Sequence, residues 1–249
     1  MALEPAIVNP VRGKRPPDVG PVVLMAATRE DLLLIRALHA GWQCSERPLF
    51  MSRLTCFSRD GQRLCVVGPV IGAPYAALVL ESLIVWGARK IFFLGWCGAI
   101  DPKVMIGDMV VPTGALIDEG TSPNYTDQPL QPVLPSFDLL TALSAHLTQA
   151  ATAFQPGLIW STDAIFRETP QKVIHYREQN ALAVEMEVAA LFSVAAFRRV
   201  EAAALLVVSD SLAGLTWQPG FKTEAFRNAR TQSCEAMVQL SRKVSACKP

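Results

Sequence analysis

The sequence predicts an α/β fold, one domain whose largely parallel sheet is covered by helices on both faces, and three observations predict it. Short all-apolar runs of strand length alternate with longer segments of helical period. Neither a stretch of linker composition nor a repeat of fixed period divides the chain. Apolar residues make up 51% of the 249 positions against 18% charged, and mean hydropathy is +0.27, which excludes a disordered tail and suits burial on both sides of a sheet.

The first nineteen residues hold four prolines with Arg12, Lys14 and Arg15, and they bury too little apolar area to offset their ordering entropy; residues 1–19 are expected to form a mobile arm and residues 20–249 the folded domain. A strand at 21–26 (PVVLMA) then leads to a helix near 29–40, a strand at 64–68 (LCVVG), a helix near 73–86 and a strand at 91–95 (IFFLG). The second half continues with a strand at 109–112 (MVVP) and an aperiodic, proline-rich loop from Asp118 to Pro135. After it come a helix at 137–150, a strand at 157–160, a helix near 170–179 and a strand at 182–186 (LAVEM). A helix near 187–198, a strand at 203–209 (AALLVVS) and a last helix near 222–245 complete the series.

Lys plus Arg total 23 against 22 Asp plus Glu, so no global field attracts nucleic acid or an anionic membrane, and neither is expected as a partner. The uncharged stretches Leu64–Leu80 and Leu139–Thr162 are broken by Gly, Pro, Gln and His, and neither reads as a membrane span. The N-terminus has no apolar signal region. Cys44, Cys56, Cys65, Cys97, Cys234 and Cys247 include no CxxC pair, so reduced cysteines and a cytoplasmic location are expected. His39, His146 and His175 are isolated and no HExxH occurs, which leaves no metal site to assign. The absence of GxGxxG, GxxxxGK[ST] and GxSxG argues against a dinucleotide fold, a P-loop and a hydrolase elbow.

Ligands of open α/β sheets bind beyond the carboxyl ends of the strands, and four places carry polar groups there: 26–31 (AATRED), 95–99 (GWCGA), 184–187 (VEME) and 207–211 (VVSDS). Asp210 follows an unbroken apolar strand, where burial favours a neutral carboxyl able to act as a general acid; the alternative is that Ser209 and Asp210 only turn the chain. Glu185 and Glu187 flank Met186, so in an extended segment both carboxylates face one side and could accept from vicinal sugar hydroxyls, while the thioether packs on a ring. Equally, they begin the following helix and favour its dipole. Gly95 and Gly98, on either side of Trp96, permit close backbone approach at a strand end.

Six segments in order resemble the nucleoside phosphorylase superfamily, the purine nucleoside and uridine phosphorylases with the methylthioadenosine/S-adenosylhomocysteine nucleosidases. They are GAPYAALVLESLIVWGARKI at 72–91, GWCGAI at 95–100, IGDMVVPTGALIDEGTS at 106–122, STDAIF at 161–166, AVEMEVAAL at 183–191 and VVSDS at 207–211. The resemblance implies a single-domain three-layer α/β/α sandwich with a mixed, largely parallel sheet, and cleavage of an N-glycosidic bond. It implies Asp210 on the purine N7, Glu187 on the ribose hydroxyls with Met186 against the sugar, and Ile165 or Phe166 beside the base; Glu185, Gly95, Trp96 and Ser209 complete the expected binding set. It also implies a homo-oligomer, a dimer, trimer or hexamer, and no cofactor beyond inorganic phosphate as co-substrate if the reaction is phosphorolytic.

Two phosphate contacts of the phosphorolytic members are absent. Aligned on VVLM, the first arginine's place falls on Asp31; aligned on GxxGA, the second falls on Phe93 and a hydroxyl residue's place on Trp96. Each missing charge-assisted bond is worth roughly 1.5–3 kcal/mol. An acid at this turn resembles the nucleosidases, so hydrolysis with Asp31, or Glu30 one residue earlier, as the base on water is the leading expectation. Phosphorolysis with replacement arginines such as Arg29, Arg47 or Arg53 is the second, and a nucleoside-binding domain without turnover, suggested by Trp96, the third.

Overall fold

The computed structural model describes residues 4–128 and 131–246. Ten strands form one mixed sheet: β1 (Val22–Ala26), β2 (Gln43–Leu49), β3 (Ser52–Arg59), β4 (Gln62–Gly68), β5 (Lys90–Ala99), β6 (Met109–Asp118), β7 (Gln155–Thr162), β8 (Ala181–Glu185), β9 (Glu201–Ser211) and β10 (Gln218–Pro219). Their order is β10-β9-β6-β7-β8-β5-β1-β4-β3-β2. A further β5–β9 pairing closes part of the sheet on itself. Parallel pairs at β1–β4, β1–β5, β5–β9, β6–β7 and β7–β8 form the centre, whereas β2–β3, β3–β4, β5–β8 and β6–β9 are antiparallel.

Six helices cover it: α1 (Arg29–Ala37), α2 (Ala73–Trp86), α3 (Phe137–Gln149), α4 (Pro170–Glu178), α5 (Val188–Arg198) and α6 (Glu224–Ala246). Successive side chains of β1 point to opposite faces, so Val23 and Met25 join the core beneath α2 and α5, while Leu24 and Ala26 join the one beneath α1, α3 and α6. Burial on both faces explains why β1 is apolar throughout.

The sequence reading left 41–63 unassigned, and there the chain forms an antiparallel meander. Strand β2 is exposed except at Leu49 and contains Pro48, as suits an edge strand, so it carries no apolar signal. Strand β3 sets Cys56 opposite Cys65 of β4, and the two form a disulfide. This corrects the expectation of reduced thiols at that pair: without β3 the partners could not be seen to meet. Cys44, Cys97 and Cys234 are free, and Cys247 lies outside the described residues.

Residues 4–18 form no helix or strand; Trp86 Nε1 donates to the Arg12 carbonyl at 3.2 Å and Arg63 pairs with Asp18 at 2.7 Å. Residues 1–3 of the expected arm lie outside the described set. Among the described residues no helix is long and apolar enough to cross a membrane, and no group of three or more His, Cys, Asp or Glu is placed to hold a metal ion.

Candidate active site

A cavity of about 720 Å³ opens where the carboxyl ends of β1, β5, β8 and β9 converge. Its lining includes Glu30, Trp96, Ile165, Phe166, Glu185, Met186, Glu187, Ser209 and Asp210. Most of the residues singled out in the sequence therefore meet at one place.

Asp210 lies inside β9 rather than in a turn after it, which sets aside the turn reading. The β5–β9 register slips between Cys97 and Gly98, so that Val208 opposes Cys97 and Asp210 opposes Gly98; Ser209 is the extra residue of a bulge. Consecutive residues thus both line the cavity. Ser209 Oγ donates to Asp210 Oδ1 at 2.6 Å, and Trp217 Nε1 donates to Oδ2 at 2.9 Å.

The alternation expected for Glu185 and Glu187 is not how the backbone runs. Strand β8 ends at Glu185, and Glu187 is the N-cap of α5 with φ −131° and ψ −36°. Glu185 Oε2 accepts from the backbone N–H of Glu187 at 2.6 Å and of Val188 at 2.8 Å, while its other oxygen accepts from Ser161. Oε2 thus caps the start of α5 while Oε1 ties it to β7, so the helix-start reading describes Glu185. Glu187 Oε1 accepts from the Gly72 backbone N–H at 2.6 Å, which leaves Oε2 for a ligand hydroxyl. Burial, and then the charge of Glu185, raises Glu187 above the ordinary carboxylate range; burial also raises Glu185 despite its donors.

Two expected residues lie outside the cavity lining. Gly95 is buried in β5, where an added Cβ would meet the Phe93 ring at 2.8 Å and Leu206 at 3.2 Å, so its smallness serves packing; Gly98 lines the cavity instead. Asp31 is 1% exposed and fully engaged. Its Oδ2 accepts from Trp96 Nε1 at 2.7 Å and Thr28 Oγ1 at 2.8 Å, and its Oδ1 accepts from Arg230 Nε at 2.8 Å. Asp31 therefore anchors Trp96 and α6. Trp96 lines the wall, with the Arg230 guanidinium 4.9 Å from its ring centre and Phe226 edge-on at 5.0 Å.

Other lining residues escaped the sequence reading. Trp217 and Phe221 come from the segment after β9, and Glu168 follows the Ile165–Arg167 turn. Glu168 is half-buried, and burial, with the charge of Asp210 second, pushes its carboxyl up to about 7 against the opposing pull of Lys172. The only signal for it was proximity to STDAIF. Arg29 and the exposed Glu30 lie in the first turn of α1 at the rim. The Cys97 thiol is raised well above its usual value by burial, then by Asp210 and Glu185, so it stays a thiol rather than a nucleophile.

A family model described as the phosphorylase superfamily matches residues 21–246. A guanosine phosphorylase of Halorubrum lacusprofundi is 36% identical over 155 residues, 62% of this chain and 64% of that protein. A DeoD-type purine nucleoside phosphorylase of Caldanaerobacter subterraneus subsp. tengcongensis is 30% identical over 154 residues, 61% and 66% of the two chains. Both matches thus span a little under two thirds of the relative. Among solved structures, a purine nucleoside phosphorylase from Toxoplasma gondii in complex with immucillin-H superposes with TM-score 0.82 at 18% identity, covering 92% of each chain. A uridine phosphorylase from Vibrio fischeri ES114 gives 0.79 at 23% identity over 90% of this chain and 93% of that one; at such identities the likeness is one of fold. With a family match running from the first strand to the end of the last helix, the chain belongs to the phosphorylase superfamily.

Proposed function

We propose that the protein cleaves the N-glycosidic bond of a purine nucleoside, with inorganic phosphate as acceptor of the sugar and no further cofactor. The observation that carries the reading is that Asp210 and Glu187 line one cavity, with Trp96 in its wall rather than plugging it. In this reading Glu187 Oε2 accepts from a ribose hydroxyl, Met186 packs on the sugar, and Phe166, 96% exposed at the mouth, covers the base with Ile165. Asp210 supports protonation of the leaving purine at N7 as C1′–N9 breaks. The carboxyl suits the site because charge develops on the base as the bond lengthens.

Phosphate is favoured over water because Asp31, on which the hydrolytic expectation rested, is held by Arg230 and Trp96, while Arg29 brings a cation to the rim. The names of the two relatives point the same way. Hydrolysis keeps one observation in its favour: Glu30 lines the cavity, and among the described residues no hydrogen bond or ion pair engages its carboxylate. Incubation with guanosine, inosine and adenosine decides. Base release that requires phosphate and yields ribose 1-phosphate is expected; free ribose formed equally well without phosphate would transfer the role to Glu30. Binding of purines with no cleavage at all would leave a binding domain.

Geometry at Asp210 can be tested through its neighbour. A Cβ on Gly98 would lie 3.2 Å from Asp210 Oδ2 and 2.9 Å from Leu212 Cδ1. Gly98→Ala is therefore expected to lower kcat/KM by up to about 10²-fold through misplacement of the carboxylate. Little change in melting temperature should accompany it, because the nearest contacts are with side chains.

A homo-oligomer is part of the proposal. Exposed Val8, Val11, Phe50, Leu78 and Phe197 line a second, shallow cavity of about 990 Å³, an apolar surface suited to a second copy.

A further inference from the structure

The leaving purine needs a proton at N7. Asp210 accepts a hydrogen bond at each oxygen, from Ser209 and from Trp217, so in this structure it is an acceptor. A second acid lines the same cavity. Glu168 is half-buried, and among the described residues no hydrogen bond or ion pair reaches its carboxyl, although Lys172 lies nearby, committed to Asp118 at 2.7 Å. A carboxyl that is partly desolvated and without a partner, in a cavity that another acid also lines, gains by keeping a proton.

We propose that Glu168 stores the proton used at N7 and that Asp210, lining the same cavity, presents it to the base. The proposal rests on the N-glycosidic reading of this site. When the C1′–N9 bond breaks, its electron pair passes to the purine, N7 takes the stored proton by way of Asp210, and both carboxyls are left ionised. The proton of hydrogen phosphate, released as its oxygen bonds to C1′, restores Glu168, so protons balance over the cycle. For Asp210 to donate, the Trp217 indole has to release Oδ2. Trp217 is 60% exposed on the segment after β9, so releasing Oδ2 requires no opening of the core.

The groups that set the proton's position are Asp210 on β9, which favours its retention on Glu168, and Lys172 on α4, which opposes it. Arg29, Glu30, Glu185 and Glu187 are the other charged residues lining the cavity. Glu168 is raised to about 7, so it keeps its proton below that pH and loses it as pH rises through it. For the wild type, kcat/KM with guanosine should therefore fall above about pH 7.

The decisive comparison uses guanosine and 7-methylguanosine, whose base is already cationic and needs no proton at N7. Glu168→Gln is expected to lose tenfold or more of kcat/KM with guanosine and to lose the fall near pH 7, while cleaving 7-methylguanosine within about threefold of wild type. Equal losses on both substrates would make Glu168 a base-binding residue and overturn the proposal. An unchanged pH profile in the variant would overturn it too, and that measurement stands if the methylated base is a poor substrate. Absence of cleavage of every nucleoside by the wild type would instead sink the N-glycosidic reading itself.

Discussion

Asp210→Asn is expected to lower kcat/KM for a purine nucleoside by about 10²–10⁴-fold, the usual contribution of a positioned general acid. The amide has the carboxylate's shape and can still accept one hydrogen bond, from Ser209 or Trp217, so the melting temperature should move by little. An amide cannot deliver a proton to N7. The loss should accordingly appear in kcat more than in KM, and 7-methylguanosine should escape most of it. A loss below tenfold on guanosine would mean that the leaving base departs without protonation, and the assignment of Asp210 would fail. Glu187→Gln distinguishes the sugar end from the base end: with one oxygen already on Gly72, it should weaken ribose binding for methylated and unmethylated nucleosides alike.

The parts of the fold that could be read from the sequence are those whose burial is local. β1, β5 and β9 are apolar because both faces are covered, and a run such as IFFLG announces itself. β2 cannot do so: QCSERP is solvent-exposed, and what holds it is backbone pairing with β3, which leaves no composition behind. The disulfide was lost with it, since Cys56 and Cys65 are opposed only once β3 and β4 are in register. The same division runs through the site. Asp210 lies near the end of its strand, and Met186, Glu187 and Phe166 come within a few residues of the ends of theirs, so position along the chain implied position in space. Trp217 reaches Asp210 by folding back from the segment after β9, and Glu168 meets the charge of Asp210 only once the chain is folded. Glu185 and Glu187, two residues apart, have different roles because β8 ends between them, a boundary that periodicity could not place.

Asp31 gives the largest expected effect on stability. Acids in the first turn of a helix are commonly exposed, yet α1 presents Asp31 to α6, where Arg230 meets it from 199 residues away. Their side chains are 2% and 14% exposed, so removal of one charge strands the other in a poorly solvated place. Asp31→Ala is expected to cost about 3–5 kcal/mol, read as the free energy of urea unfolding. Trp96 Nε1 loses its acceptor in the same step, which adds a second unpaired group at the cavity wall. The double replacement Asp31→Leu with Arg230→Met should recover much of that loss, because an apolar pair avoids the stranded charge. Had Asp31 been the base on water, Asp31→Asn would abolish activity while leaving stability near wild type. The ion pair requires the opposite order: a clear loss of stability, with residual activity that follows the folded fraction. A stable but inactive Asp31→Asn protein would return Asp31 to the chemistry and favour water over phosphate.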